Sequence, residues 1–174
     1  VPYGIVLLPD PGTSAALVAL AATIGADAGP LMLVGDQAPP HVSVLHVDGG
    51  SEEDLRYWAR SHARDFTVKI IGLLFAAVPP GDYYVPEGGY YAGLEVVRRP
   101  GLDEFHRETL DWAESAGATP LGAVGTDYRP HVTLGMTARP PRLPDLDTLP
   151  SGEFTLSPAI APLGPYGTFP TLAR

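Results

Sequence analysis

The 174-residue chain contains no cysteine. That excludes disulfides, thiolate zinc and iron–sulfur sites and a cysteine nucleophile, and it favours a reducing compartment. Basic residues are scarce: 11 Lys and Arg stand against 20 Asp and Glu, a formal net charge of −9. A protein that grips long nucleic acid by its phosphates carries a basic surface. A long duplex is therefore not an expected partner, and a small or terminal phosphate fits better. Long apolar runs are missing too. Stretches such as Ile70–Val78 are far too short to span a bilayer, so no membrane association is expected. There is no His-Glu-x-x-His motif, and Gly164–Gly167 lacks the lysine and following helix of a P-loop. Neither a metal site nor nucleoside triphosphate binding is expected.

What is present is a globular composition, 45% hydrophobic and 18% charged, with length enough to bury one core. A monomeric single domain of two lobes is expected. Lobe one covers about 1–78, lobe two about 90–174, and the Pro-, Gly- and Tyr-rich segment 79–89 connects them. The run Tyr3–Leu8, directly after Val1-Pro2, reads as a strand rather than as a signal peptide, and a cytoplasmic location is the expectation.

Two segments repeat one pattern half a chain apart: Pro40-His41-Val42-Ser43-Val44 and Pro130-His131-Val132-Thr133-Leu134. Strand side chains alternate between faces. His41 and Ser43 therefore share one face, as do His131 and Thr133, while Val42, Val44, Val132 and Leu134 turn into apolar packing. If the two strands are neighbours, one cleft receives two imidazoles and two hydroxyls.

The remaining elements fall in a repeated order. Tyr3–Leu8 is a strand. Thr13 or Ser14 caps a helix carrying Leu17, Leu20 and Ile24, and Leu31–Val34 is a short strand. After the first histidine strand, Ser51 opens a helix with Glu52, Glu53 and Asp54 in its first turn, favourable charges at the positive end of the helix dipole. Phe66–Val78 is a long strand with a bulge or bend at Gly72. In the second half, strand Tyr90–Val97, helix Leu102–Ala116 and histidine strand Arg129–Met136 come in turn. The proline-rich Ala138–Pro150 stands where the first half has a helix. Glu153–Leu163 and Thr168–Leu172 read as strands around a turn at Gly164–Gly167.

Two histidines flanking a phosphorus centre suffice for phosphodiester hydrolysis. One takes a proton from the attacking water, and the other gives a proton to the departing oxygen. In-line displacement needs them on opposite sides of the phosphorus, which two separate strands supply. Hydroxyls two residues further on reach the non-bridging oxygens and stabilise the developing charge.

The pair His-Val-Ser and His-Val-Thr resembles the signature of the 2H phosphoesterase superfamily, the group of 2′,3′-cyclic phosphodiesterases and 2′-5′ RNA ligase-like proteins. The likeness continues through Phe66-Thr67-Val68, Gly93-Leu94-Glu95-Val96, Tyr128-Arg129-Pro130-His131 and Leu163–Phe169. The resemblance implies an α+β, bilobal, pseudo-two-fold fold, with two antiparallel-rich sheets and outer helices around a central cleft. It also implies metal-independent, cofactor-free cleavage of a small nucleotide or RNA-terminal cyclic phosphate. His41 and His131 become the acid–base pair, and Ser43 and Thr133 the phosphate ligands. The other readings are a non-catalytic nucleotide-binding module of the same fold, a hydrolase of a cyclic oligonucleotide signal, and RNA end-joining. The acidic balance weighs against the last.

Further residues enter as candidates. Arg129 shares strand parity with His131, so it reaches either a ligand phosphate or Asp127. Tyr166 and Phe169, in the final turn, are placed to stack a base or to seal the lobe edge. His46 stands five positions after His41, an odd offset that turns it to the opposite face, where packing or solvent is expected. His62 and His106 lie on helices with structural roles, and Arg56, Arg60 and Arg64 form a solvated helix stripe. Gly135-Met136 comes after the second motif where many relatives carry a basic residue, so charge neutralisation must come from elsewhere.

Overall fold

The computed structural model describes residues 1–173. In chain order the elements are β1 (Tyr3–Pro9), α1 (Pro11–Gly25), β2 (Pro30–Leu33), β3 (Val42–Asp48), α2 (Glu52–Ser61), β4 (Phe66–Val78), β5 (Gly89–Val96), α3 (Pro100–Ser115), β6 (Thr119–Leu121), β7 (His131–Thr137) and β8 (Gly152–Pro162). No helix among the described residues is long and apolar enough to cross a membrane.

Local chemistry sets most boundaries. Helix α1 is capped by Asp10, whose Oδ1 accepts from the amides of Gly12 and Thr13 at 2.8 and 3.0 Å. The cap lies upstream of Thr13 and Ser14 because Pro11 fits the first helical position, where no N–H is needed. Helix α2 starts as expected, with Ser51 Oγ accepting from Asp54 N. Helix α3 turns Leu102, Phe105, Thr109 and Ala113 inward, all buried. The expected strand Thr168–Leu172 is instead irregular. Short 3₁₀ turns occupy Pro165–Gly167 and Pro170–Leu172, because two prolines remove ladder donors and Tyr166 adopts a left-handed φ of 57°. Strand β6, which contains Pro120, gave no signal in the sequence.

The eight strands form one antiparallel sheet in the order β2-β7-β5-β4-β8-β1-β3-β6, and β3 also pairs with β7. The repeat shows in this order. If β1, β2, β3 and β4 are exchanged with β5, β6, β7 and β8, the series reads the same backwards. Strands β7, β5, β4, β8, β1 and β3 thereby close on themselves, and the pseudo-two-fold passes between β3 and β7 and between β4 and β8.

The two antiparallel halves are continuous because β4 and β8 each serve both. Phe66–Ile70 of β4 pairs with β8, and Ile70–Val78 pairs with β5. Ile71, exposed at the changeover, is the extra residue of a bulge that bends the strand, next to the expected Gly72. The halves also trade strands across residues 79–89. β2 pairs with β7, while β6 and β8 pair with β3 and β1. Sequence ranges 1–78 and 90–174 thus repeat one element order while their strands interleave.

One core runs through the sheet and under the helices. Ile5, Leu7, Val42, Leu94, Val132 and Leu134 meet Leu17 and Ile24 of α1, Leu55 of α2 and Phe105 of α3. Burying such side chains contributes about 1.5–3 kcal/mol each. Because the alternating residues of β3 and β7 spend Val42, Val132 and Leu134 on this core, their other face is left to the cleft.

Candidate active site

Both histidines of the repeat enter one cleft of about 350 Å³, together with Ser43, Thr133, Tyr91 and Tyr84. Val42 and Val132 are direct partners across the β3–β7 contact. In that antiparallel register His41 faces toward Thr133 and Ser43 toward His131, so each imidazole sits across from the other motif's hydroxyl.

The two rings are held alike. His41 Nδ1 donates to the carbonyl of Pro39 at 2.9 Å, and His131 Nδ1 donates to the carbonyl of Arg129 at 2.7 Å. A carbonyl can only accept, so this bond fixes the tautomer and leaves Nε2 as a lone pair in both rings. The intervening prolines, Pro40 and Pro130, hold the preceding residue extended and fix the carbonyl's position. Each ring also rests edge-on against an aromatic. Phe169 lies 4.8 Å from His41 and Tyr91 lies 5.6 Å from His131, centroid to centroid, at 86° and 87°.

Phe169 is fully buried, which removes it from the base-stacking candidates. Its ring fills the space over Gly4, where an added Cβ would clash with Phe169 Cζ. It is the floor beneath His41. Tyr166 stays at the cleft rim, its hydroxyl donating to Glu87 at 2.7 Å. Arg129 also lines the rim, mostly exposed, and its ion partner is Glu95 at 3.4 Å rather than Asp127.

Burial acts on the charges. It lowers His41 to about 4, against the carbonyl of Pro39, which raises it. His131 is lowered by burial as well. Near neutrality both rings are therefore uncharged bases. An anion between them favours conversion of one to imidazolium, because a nearby negative charge stabilises the protonated ring.

His46 departs from the sequence reading. Ile5 pairs with Leu45 but Val6 pairs with Ser43, so Val44 is an extra residue, a bulge in β3. The bulge reverses side-chain parity, and His46 lands on the cleft face. Its Nε2 lies 2.9 Å from Ser43 Oγ and its Nδ1 2.7 Å from Tyr84 Oη. The second strand has the same irregularity. Ala92 pairs with Gly135 but Gly93 pairs with Thr133, which makes Leu134 the extra residue of β7. The counterpart of His46 is then Met136, also in the cleft wall.

Groups from outside the motif hold the β3 bulge. Tyr128 donates its hydroxyl to the carbonyl of Ser43 at 2.9 Å, and buried His106 Nδ1 donates to that of Val44 at 2.7 Å. His106 Nε2 accepts from Gly125 N at 2.9 Å, and its ring stacks on Tyr128 at 3.8 Å. His106 is structural, as expected, but its structural task is to shape the site. Tyr84 was unmarked in the sequence. An Asx turn positions it: Asp82 Oδ1 accepts from the amides of Tyr84 and Val85 at 2.8 and 3.0 Å. On the other side of the cleft, buried Tyr91 Oη has no hydrogen-bond partner among the described residues.

The walls are otherwise apolar, with Leu74, Ala76, Val78 and Met136 from β4 and β7. No group of three or more His, Asp or Glu among the described residues is arranged to hold a metal ion. The arrangement can accept one proton, return one, and donate hydroxyl hydrogen bonds to an anion between the two rings.

No family model and no curated protein matches the chain. Among solved structures, the MHV ns2 PDE domain is similar, with a TM-score of 0.52, 13% sequence identity, and coverage of 92% of this chain and 99% of that one. The phosphodiesterase designation is that domain's own; the likeness concerns the architecture. The chain shares the α+β fold of that domain.

Proposed function

We propose that the protein is a phosphodiesterase of the two-histidine type, acting without metal or cofactor on a small 2′,3′-cyclic phosphate or a short oligonucleotide end. The observation that carries this reading is the matched tautomer of His41 and His131. Two imidazoles with Nδ1 anchored on a backbone carbonyl offer two Nε2 atoms to one cleft.

The substrate's phosphate raises the proton affinity of the rings beside it, and one of them becomes imidazolium. The other takes a proton from water as the water oxygen bonds to phosphorus. The opposite ester bond breaks, and its oxygen leaves with the imidazolium proton. At the end the two rings have exchanged protonation states, and charge and protons balance. The hydroxyls of Ser43 and Thr133 donate to the non-bridging oxygens as charge builds on them, a contribution of roughly 100- to 1,000-fold for one such donor. Acid–base transfer contributes typically ~100- to 10,000-fold.

A screen of nucleoside 2′,3′-cyclic phosphates and short cyclic-phosphate-ended oligonucleotides, with products resolved by phosphorus NMR in the presence of chelator, tests the proposal. Conversion to a monoester is the expected result. Binding of mononucleotides by calorimetry with no product in that screen would replace this reading with the nucleotide-binding module.

A further inference from the structure

The two histidine strands are alike down to their bulges, yet one position breaks the symmetry. Five residues after the motif histidine, β3 carries His46 and β7 carries Met136. A thioether makes at best a weak hydrogen bond, whereas an imidazole can pass one on through its ring.

His46 does so in the observed geometry. Tyr84 Oη, His46 and Ser43 Oγ form a chain of two short contacts, 2.7 and 2.9 Å. The chain has two polarities. In one, Tyr84 O–H donates to Nδ1, Nε2–H donates to Ser43 Oγ, and the serine proton is left to point into the cleft. In the other, Nδ1–H donates to Tyr84, Ser43 donates to Nε2, and the serine shows the cleft only lone pairs. An anionic phosphate oxygen accepts and cannot donate, so only the first polarity recognises it.

The relative acidity of the two hydroxyls selects that polarity. A phenol is a far stronger acid than an aliphatic alcohol and therefore the better donor to an imidazole nitrogen. The ring of His46 is also kept neutral, since it is enclosed by Phe169 at 5.5 Å and Tyr84 at 5.6 Å, edge to face. A neutral ring must accept at one nitrogen and donate at the other. Tyr84 is held from its backbone, whose amide donates to Asp82, and it lies beside Gly122 and Gly167, where an added Cβ would come to 3.4 Å from its hydroxyl and its ring.

We propose that Tyr84 and His46 are positioning residues that hold the Ser43 hydroxyl as an obligatory hydrogen-bond donor to the scissile phosphate, an arrangement present in only one of the two half-sites. This deepens the phosphodiesterase reading and, in its kinetic part, rests on it.

The test is a double-mutant cycle on turnover of a nucleoside 2′,3′-cyclic phosphate, with thermal melts confirming that each variant is folded. Tyr84→Phe keeps the ring and removes the donor. It should lower kcat/KM by about 3- to 10-fold, the worth of one hydrogen bond, with most of the loss in kcat. His46→Met copies the opposite half-site and should cost as much as Ser43→Ala. In the Ser43→Ala background neither change should add a further loss. Additive losses, or an unaffected Tyr84→Phe enzyme, would overturn the proposal. A direct readout is independent of turnover: nitrogen-15 NMR of the wild-type histidines should show His46 protonated at Nε2, with and without inorganic phosphate. A proton on Nδ1 refutes the positioning role even if the enzyme turns over. Absence of turnover together with Nε2 protonation refutes the phosphodiesterase reading and leaves the oriented serine standing.

Discussion

Val44 and Leu134 occupy the same place in two bulged strands, each the extra residue three positions beyond a cleft histidine. Both are buried, so the irregularity adds to the core while it re-aims the next side chains along the strand. Without it, the residue five positions after each histidine would face away from the cleft. With it, His46 and Met136 become parts of the wall.

Replacing either His41 or His131 by Ala should lower kcat/KM for a cyclic phosphodiester by at least ~100-fold while circular dichroism and melting remain close to wild type. The two losses should be strongly non-additive, because base and acid act in one displacement. Full turnover in either single variant would remove that ring from the reaction.

His106→Leu should destabilise the fold by about 1–3 kcal/mol, since it leaves the Val44 carbonyl and the Gly125 amide without a partner. Denaturant melts measure that cost. Activity should fall as well, although His106 is not among the residues that line the cleft, because the bulge that turns His46 inward loses its tie to α3. Wild-type kcat/KM in a folded variant would show that the bulge needs no such support.

Stability should decline on acidification through a window set by the buried rings. His41 is lowered by burial from 6.5 to about 4, and His46 to about 3. Between the unfolded and folded values the unfolded chain binds more protons, so stability is fully present above about pH 6.5 and falls as pH drops toward 4. For His41 alone the loss is on the order of 3 kcal/mol. Urea melts at pH 7 and 4.5 should show it, and His41→Asn should flatten the dependence. An unchanged slope in that variant would mean the ring is solvated.

Ligand binding should take up protons. At pH 7 burial keeps the two rings neutral, and a phosphate anion between them raises their proton affinity. Calorimetric titration with a nucleoside 3′-monophosphate in two buffers of different ionisation enthalpy should give a net uptake. That uptake should shrink in the His131→Ala variant. Identical heats in both buffers would contradict the coupling.

Much of this site was legible in the sequence, and the reasons differ by residue. His41, Ser43, His131 and Thr133 were readable because strand alternation is strict and the pattern occurs twice. Leu102, Phe105, Thr109 and Ala113 were readable because helical spacing marks a buried stripe. His46 was not, because a bulge shifts parity without leaving a composition signature. Tyr84 was lost among neighbouring tyrosines, since its place depends on an Asx turn that only the folded connection reveals. Phe169 looked available for stacking in a turn rich in Gly and Pro. The vacancy that claims it is made by Gly4, 165 positions earlier in the chain. The trading of strands between halves was invisible for the same reason: pairing partners are chosen by tertiary closure, not by local pattern.

That trading has a consequence for how the protein can come into being. β1 needs β8 on one side and β3 on the other, and β8 is the last strand the chain supplies. A growing polypeptide therefore holds His41 early but cannot seat it until β8 has emerged. Severing the backbone between β4 and β5 should yield two fragments that are each unfolded alone and regain a cleft only when mixed. On this architecture the shared cleft is an all-or-none property that neither half holds alone.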